Sequence, residues 1–296
     1  MNISSPVELR SRERLILDLR LIGIPEVPTL GRYRYSHAHR GLEAHTHAAT
    51  MEICYLASGT QLYRVGRRDY VLRGGDLFIT FPDEQHSTGE APEEKGLLYW
   101  ILIALPAPPS TFLNCPPADA PLLTSQLLAI RHRHFAGEPR LQTLLDEIIH
   151  TATARRDPLR KIAVCSKLTD FLLNVIQCSR RNPKRALSPS VNSLLRTIEA
   201  RIEEPLTISQ LAGLMGLSPS RFKARFKQEI GIPPAEYVQR CKIAAAKSLL
   251  AGRNHTITDI AYRLGFSSSQ YLATVFKRYT GRTPRSYRNG NYGPKF

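Results

Sequence analysis

The chain is poor in the features that mark secreted disulfide scaffolds, thiolate metal proteins and membrane proteins. Its five cysteines, Cys54, Cys115, Cys165, Cys178 and Cys241, are odd in number and scattered, with no Cys-x-x-Cys pair. That spacing favours neither a disulfide framework nor a thiolate zinc site. No run approaches the ~20 apolar residues of a membrane span, and the N-terminus lacks the apolar stretch of a signal peptide. A soluble, cytoplasmic protein with no membrane partner is expected. Acidic residues are scarce in one place only. From Arg181 onward there are 6 Asp/Glu against 20 Lys/Arg, a balance of +14, whereas the first 180 residues carry 19 against 21, a balance of +2. Basicity confined to one end suits a surface that neutralises nucleic-acid phosphates. A membrane surface would also attract it, but no basic amphipathic helix with an aromatic face is present. The length of 296 residues allows two domains, at ~100–200 residues each.

The basic end says nearly the same thing twice. Ile208, Leu211, Ala212, Met215, Gly216, Leu217 and Ser218 recur as Ile257, Ile260, Ala261, Leu264, Gly265, Phe266 and Ser267, at an offset of 49 residues. After one extra residue the match resumes, with Phe226, Lys227, Gly231, Pro234 and Tyr237 against Phe276, Lys277, Gly281, Pro284 and Tyr287. Ile208, Leu211, Ala212 and Met215 have the three-and-four spacing of a helix that buries one face. Thr207 and Thr256 suit its N-cap, and Gly216 and Gly265 its end. Leu217 and Phe266 point inward from the turn, and Ser218 and Ser267 cap the next helix, with Pro219 in its first turn. A short Gly-containing turn between two short helices is a helix-turn-helix.

The second helix of each copy carries a small, polar or basic outward face. Over Pro219–Ile230 the inward anchors are Phe222 and Phe226, leaving Ser220, Arg221, Lys223, Ala224 and Lys227 outside. Over 268–280 the anchors are Tyr271, Leu272, Val275 and Phe276, leaving Ser269, Gln270, Ala273, Thr274 and Lys277. Such a face fits a major groove, where side chains must reach base edges without a clash. The bland alternative is a solvated helix face, which duplication and charge together disfavour. Between the copies Pro234–Ala251 reads as one helix with the stripe Tyr237, Val238, Cys241, Ala244, Ala245 and Leu249. At ~1.5 Å per residue it spans roughly 27 Å, comparable to the ~34 Å between successive major grooves.

From 191 to about 287 these residues resemble the DNA-binding domain of the AraC-type family of bacterial transcription regulators. The resemblance takes in the linker-helix pattern Lys242-Ile243, Ala245, Leu249-Leu250 and the closing Gly281-Arg282-Thr283-Pro284, Tyr287-Arg288. Arg225 departs from it, standing where the family has an apolar residue. The resemblance implies double-stranded DNA as partner, a small-molecule effector, a homodimer and, by analogy alone, activation through RNA polymerase.

The first half is different. Residues 8–21 read as a short helix. From 42 to 105 short apolar runs (51–57, 61–65, 70–73, 77–81, 96–105) alternate with Gly and Pro turns, a pattern of a small β-barrel or jelly roll. Within them His45-Thr46-His47, Glu52 and Gly59, then Gly75, Pro82 and His86, resemble the two cupin motifs. The resemblance implies a pocket formed by His45, His47, Glu52 and His86. Alternation would put His45 and His47 on one face of a strand, and two or three imidazoles with a carboxylate suit a divalent metal. The motifs are incomplete: His39 replaces a leading Gly, a Gly after Pro82 is missing, and Glu90 stands where Asn is usual. The same groups suit the hydroxyls of a metal-free effector such as a sugar, and that reading is preferred, with metal as the minority one.

Three apolar-striped helices (121–134, 140–154, 159–179) are expected to pack on the barrel, one exposed face dimerising. Arg131-His132-Arg133-His134 reads as a solvated helix end. The expected class is α+β with two domains. A cupin-like effector and dimerisation domain occupies 1–180 (barrel about 30–115, helices about 119–180), followed by a linker at 181–190 and a double helix-turn-helix domain at 191–290. The function expected is transcription regulation, not catalysis, with no cofactor required. The alternative is a metal-dependent cupin enzyme fused to a DNA-binding domain.

Overall fold

A computed structural model describes residues 6–89, 91–105, 111–154, 157–181, 187–252 and 254–290. Position 90 and half of the expected linker, 182–186, lie outside the described residues. The chain divides into two compact units. One comprises Met1–Tyr35, Leu42–Glu90 and Gly96–Arg185, the other Ser36–Gly41, Ala91–Lys95 and Ala186–Phe296.

The first unit is a nine-stranded antiparallel sheet backed by helices. The strands are β1 (Val7–Arg10), β2 (Arg14–Leu17), β3 (Thr29–Tyr35), β4 (Thr50–Val65), β5 (Arg68–Arg73), β6 (Asp76–Thr80), β7 (His86–Ser87), β8 (Gly96–Ala104) and β9 (His134–Ala136). They run in the order β1-β2-β3-β8-β4-β6-β9, with β5 and β7 also paired to β4. This path is open, so among the described residues hydrogen bonding does not close a barrel. The helix expected at 8–21 is instead the β1–β2 hairpin followed by a 3₁₀ turn at Leu19–Ile22. Leu15 and Leu17 are both buried at a spacing of two, and β2 pairs with β3, so strand pairing overrides the helical reading.

β4 organises this unit. Its first half sends Met51, Ile53 and Tyr55 into the core shared with the helices, and Cys54 and Leu56 to the other face, against Tyr33, Tyr35, Phe78 and Leu98. A register shift between Leu56 and Ser58 then changes the parity. A bulge adds one residue and flips which side chains face inward. Tyr63, an odd-numbered residue, therefore joins Cys54 and Leu56 on the same aromatic-rich face. The turn expected at Ser58-Gly59 is thus a bend within one strand of 16 residues. The strand's first half pairs with β6 and β8, its second with β5 and β7.

On the opposite face pack α1 (Ala120–Leu128), α2 (Pro139–Thr153) and α3 (Arg160–Arg181). Leu141, Leu144, Leu145 and Ile148 of α2 meet Leu168, Phe171, Leu172 and Val175 of α3 in the same core as Ile53 and Ile101. α3 is long and apolar enough to cross a membrane, yet 44% of its apolar window is buried, in this core. The expected first helix stops early, and residues 134–136 form β9 on the edge of the sheet.

The second unit is helical: α4 (Pro189–Ala200), α5 (Ile208–Leu214), α6 (Pro219–Ile230), α7 (Pro234–Ala251), α8 (Ile257–Arg263), α9 (Ser269–Thr280) and α10 (Pro284–Arg288). It holds two separate cores. One joins Val191, Leu194 and Ile198 to Leu211, Phe222, Phe226, Ile230 and Val238; the other joins Ile243, Ala246 and Leu250 to Ile260, Leu264, Phe266, Leu272, Val275 and Phe276. α7 serves both, so its buried face rotates along its length. Ile243, Ala246 and Leu250 are buried, whereas Ala244 of the expected stripe is exposed.

Candidate functional site

The two helix-turn-helix units, α5–α6 and α8–α9, are capped as their sequences demand. Thr207 and Gln210 form a reciprocal capping box at α5, and Thr256 and Asp259 form another at α8. Gly216 and Gly265 adopt φ of +63° and +66°, where a Cβ would be strained. Ser218 caps α6, but the cap of α9 is Ser268, not Ser267. The one-residue slip in the repeat therefore falls inside the second turn, and from the cap onward the offset is 50.

That register pairs Arg221 with Tyr271 and Arg225 with Val275. Tyr271, expected to be an inward anchor, is 48% exposed, whereas Leu272, Val275 and Phe276 are buried. Of the named outward residues, Ser220, Arg221, Lys223, Ala224, Lys227, Gln270, Thr274 and Lys277 are exposed, and Ser269 and Ala273 half-buried. Arg225 lies half-buried and is engaged within the protein. Its Nε donates to Glu229 Oε1 (3.0 Å), and its Nη2 to Ser188 Oγ (3.2 Å) and Ser190 Oγ (3.1 Å). The departure at Arg225 thus ties the recognition helix to the start of α4.

In the first unit His45, His47, Glu52 and His86 come together. Glu52 sits on β4 opposite Thr80 of β6, whose hydroxyl lies 3.4 Å from its Oε2. His86 on β7 makes an isolated antiparallel bridge with His45, N to O at 3.0 Å in both directions. His45 and His47 therefore lie in a bridged loop, not on the regular strand expected. Glu52 Oε2 is 2.8 Å from His86 Nε2 and 3.9 Å from His47 Nε2. Glu52 and His86 are buried, His45 and His47 half-buried, and Thr46 exposed.

The ring orientations carry chemical information. His45 Nδ1 is 2.8 Å from the Glu43 carbonyl and His86 Nδ1 is 3.2 Å from the Glu84 carbonyl. A carbonyl only accepts, so both Nδ1 atoms carry protons and each neutral ring keeps its lone pair on Nε2. His86 Nε2 is fully buried and its close approach to Glu52 lacks the alignment of a hydrogen bond. A neutral, unprotonated Nε2 and a carboxylate oxygen 2.8 Å apart repel each other, so a proton on the ring or a cation nearby would stabilise the contact. Burial disfavours the charged form of His86, but Glu52 outweighs it and raises the pKa. Burial likewise opposes ionisation of Glu52, and His86 with the other two rings outweighs it, lowering the pKa. At His47 burial prevails and lowers the pKa.

These groups also fit a divalent cation. The ligand atoms of His45, His47 and His86 all lie within 4.8 Å of one another. Ligands bonded at ~2.1 Å sit roughly 3–4 Å apart, so a small inward shift of the rings would complete the set. Carbonyls that hold Nδ1 are the usual outer partners of metal-bound histidines.

The sequence missed the residues behind this cluster. Arg131–His134 lies beyond α1, and only Arg131 and His132 are exposed as expected: Arg133 grips Glu84 with Nη1–Oε2 at 2.6 Å and Nη2–Oε1 at 2.8 Å, and His134 Nε2 meets Asp76 Oδ2 at 2.9 Å. Only distance along the chain hid these pairs.

The geometry agrees with two family descriptions. "AraC-like ligand binding domain" matches residues 28–168, and "Helix-turn-helix domain" matches 211–290. The chain belongs to the AraC-type family of transcription regulators. Among its relatives, the helix-turn-helix-type transcriptional regulator YfiF of Bacillus subtilis is 26% identical over 252 residues, 80% of this chain and 76% of YfiF. The bifunctional transcriptional activator and DNA repair enzyme AdaA of the same organism is 35% identical over 112 residues, 38% of this chain. The chain spans 53% of AdaA's length. The C-terminal domain of AraT, a response regulator from Geobacillus stearothermophilus, is 28% identical over 37% of this chain and 92% of that one, with a TM-score of 0.34.

Proposed function

We propose that the chain is a one-component, cytoplasmic transcription regulator. Residues 1–180 form a cupin-like effector and dimerisation domain, 181–190 a linker, and 191–290 the DNA-binding domain. The observation that carries this reading is the pairing of two exposed recognition faces with a buried cluster of ionisable groups in the ligand-binding domain. On α6, Ser220, Arg221, Lys223, Ala224 and Lys227 face DNA, and on α9 Ser269, Gln270, Ala273, Thr274 and Lys277. His45, His47, Glu52 and His86 hold the effector. Binding there shifts the equilibrium between arrangements of two protomers, and so which half-sites they occupy. Contact with RNA polymerase, and activation as the outcome, rest on family analogy alone. DNase footprints with and without a panel of sugars and other small carbon sources test the reading. A Glu52→Ala chain should bind DNA normally and lose the effector response. A footprint indifferent to every compound would leave an effector-independent DNA binder.

The Nδ1–carbonyl contacts and the unaligned Glu52–His86 approach favour a second reading, in which the same four residues hold a divalent metal. The protein would then supply three imidazoles and one carboxylate, and the metal would supply charge and coordination for an effector oxygen. Elemental analysis should find about one metal per chain, lost in His47→Ala. A metal-free protein with a normal effector response returns the site to direct hydrogen bonding.

A further inference from the structure

The turn after β6 touches both halves of the histidine cluster. Asp83 N donates to the His47 carbonyl (3.1 Å), and Asp83 Oδ1 accepts from Ala49 N (3.2 Å). At the next residue, the Glu84 carbonyl faces His86 Nδ1. One short turn thus fixes a histidine on each side, and Thr80 at the end of β6 contacts Glu52. Asp83 and Ala49 both have positive φ, +64° and +49°. Such strain in non-glycine residues persists only where the surroundings over-determine it, and it gathers at ligand sites.

The surroundings here are dominated by one side chain. Glu84 Oε2 accepts from Phe81 N (2.8 Å), closing the turn, and the same carboxylate is held at both oxygens by Arg133. A forked guanidinium on both carboxylate oxygens fixes direction as well as distance. Arg133 is also anchored through its backbone, its carbonyl accepting from Ile79 N (2.8 Å), while Nη1 donates to Ile79 O (3.3 Å). Its guanidinium lies 5.5 Å from the Phe81 ring and 5.8 Å from the Tyr70 ring. With its side chain only 19% exposed, it is no surface cation. In the chain it stands between α1 and α2, immediately before β9.

We infer that Arg133 is a positioning residue for the histidine–glutamate site: through Glu84 it holds the turn that orients His47 and His86, and it links that turn to the segment between α1 and α2. The inference rests on the reading of those four residues as a ligand site. Its consequence is directional. An occupant that moves His86 must move Glu84, and with it the segment that joins two helices of the helical layer. The site and that layer then share one rigid connector.

The test uses the full chain and Co(II) as probe. Wild type should bind about one cobalt per chain with a visible spectrum. Arg133→Gln and Glu84→Gln should each weaken binding by up to roughly 10-fold, the low end of the loss seen when an outer partner is removed outright, because the Glu84 carbonyl itself stays. Because both changes break one link, the double variant should be no weaker than either single one. Arg133→Lys should recover part of the affinity. Leu123→Ala, in the buried face of α1, controls for lost stability and should leave cobalt affinity unchanged. Additive losses, or an equal loss in Leu123→Ala, would overturn the inference. If wild type takes up no cobalt, the metal reading falls, and amide exchange decides the positioning role instead. Faster exchange at Asp83 and His86 in Arg133→Gln, with β4 and β8 still protected, would uphold it; unchanged exchange there would end it.

Discussion

The two helix-turn-helix units solve one packing problem with two sets of polar contacts. At the shared positions they agree: Phe226 and Phe276 are buried, and Gly231 and Gly281 end their recognition helices at φ of +83° and +72°. Away from these they diverge. Where the first unit has Arg225 and Glu229, the second has Val275, buried, and Tyr279, half-buried. The first unit is latched to the N-cap of α4 by charge and hydroxyl groups, with Glu229 accepting from Ser188 N at 2.9 Å and Ser188 Oγ at 3.1 Å. The second relies on apolar packing at the matching place. Common residues therefore specify the motif, and the others specify what each copy does with it.

The strongest way to break the comparison is through the cores. Phe226→Ala and Phe276→Ala should each cost about 3–5 kcal/mol. Because the cores are separate, amide exchange should rise in α5 and α6 for the first variant and in α8 and α9 for the second. Loss of protection across both units from either change would show one cooperative core. At the DNA, Gln270→Ala should cost about 1–3 kcal/mol at one base pair and relax preference there. Lys227→Ala and Lys277→Ala should weaken all sequences alike and reduce the salt slope by roughly 0.9 each. Binding-site selection with each variant measures both effects, and an unaltered profile for Gln270→Ala would remove it from the reading face.

The caps should separate the units by pH. Asp259 is held below its ordinary value of 3.8, chiefly by the hydrogen bond from the Thr256 side chain. A lowered carboxyl pKa contributes stability above the unfolded value, and that contribution disappears as pH falls through the folded one. Gln210, its counterpart, does not titrate. On acidification from about pH 5 to about pH 2, α8 should therefore lose amide protection before α5 does; simultaneous loss would mean the boxes contribute equally. The smallest effect is expected for Arg225→Val, which installs the second unit's residue in the first. The pair is partly exposed, so stability should change by about 1 kcal/mol or less. An unchanged salt slope for DNA binding would confirm that Arg225 faces protein and not phosphate.

Local patterns made much of this molecule readable before its structure. Thr207, Gly216, Phe222 and Phe226 sit at spacings set by the helix itself, so their roles followed from order along the chain. Tyr271 was misread because the one-residue slip lies in the turn before it, and an apolar ring at helical spacing resembles an anchor. His45, His47, Glu52 and His86 were legible as residue types at cupin-like spacing. The turn through Asp83 and the grip of Arg133 on Glu84 were not, because partners 49 residues apart in sequence meet only through the pairing of β6 with β9. The bulge in β4 was hidden for a similar reason. A Ser-Gly pair signals a turn locally, and only the neighbouring strands decide that the chain continues.

The sharing of α7 between two cores has a consequence for how such proteins vary. Val238 packs into one unit while Ile243, Ala246 and Leu250 pack into the other. A single inserted residue between them would advance the second unit by only ~1.5 Å but swing it around the helix axis by about 100°. The second recognition face would then turn by the same angle relative to the first. The length of α7 is thus a phase setting: it tolerates substitution along its exposed side, but changes in length must come in near-whole helical turns.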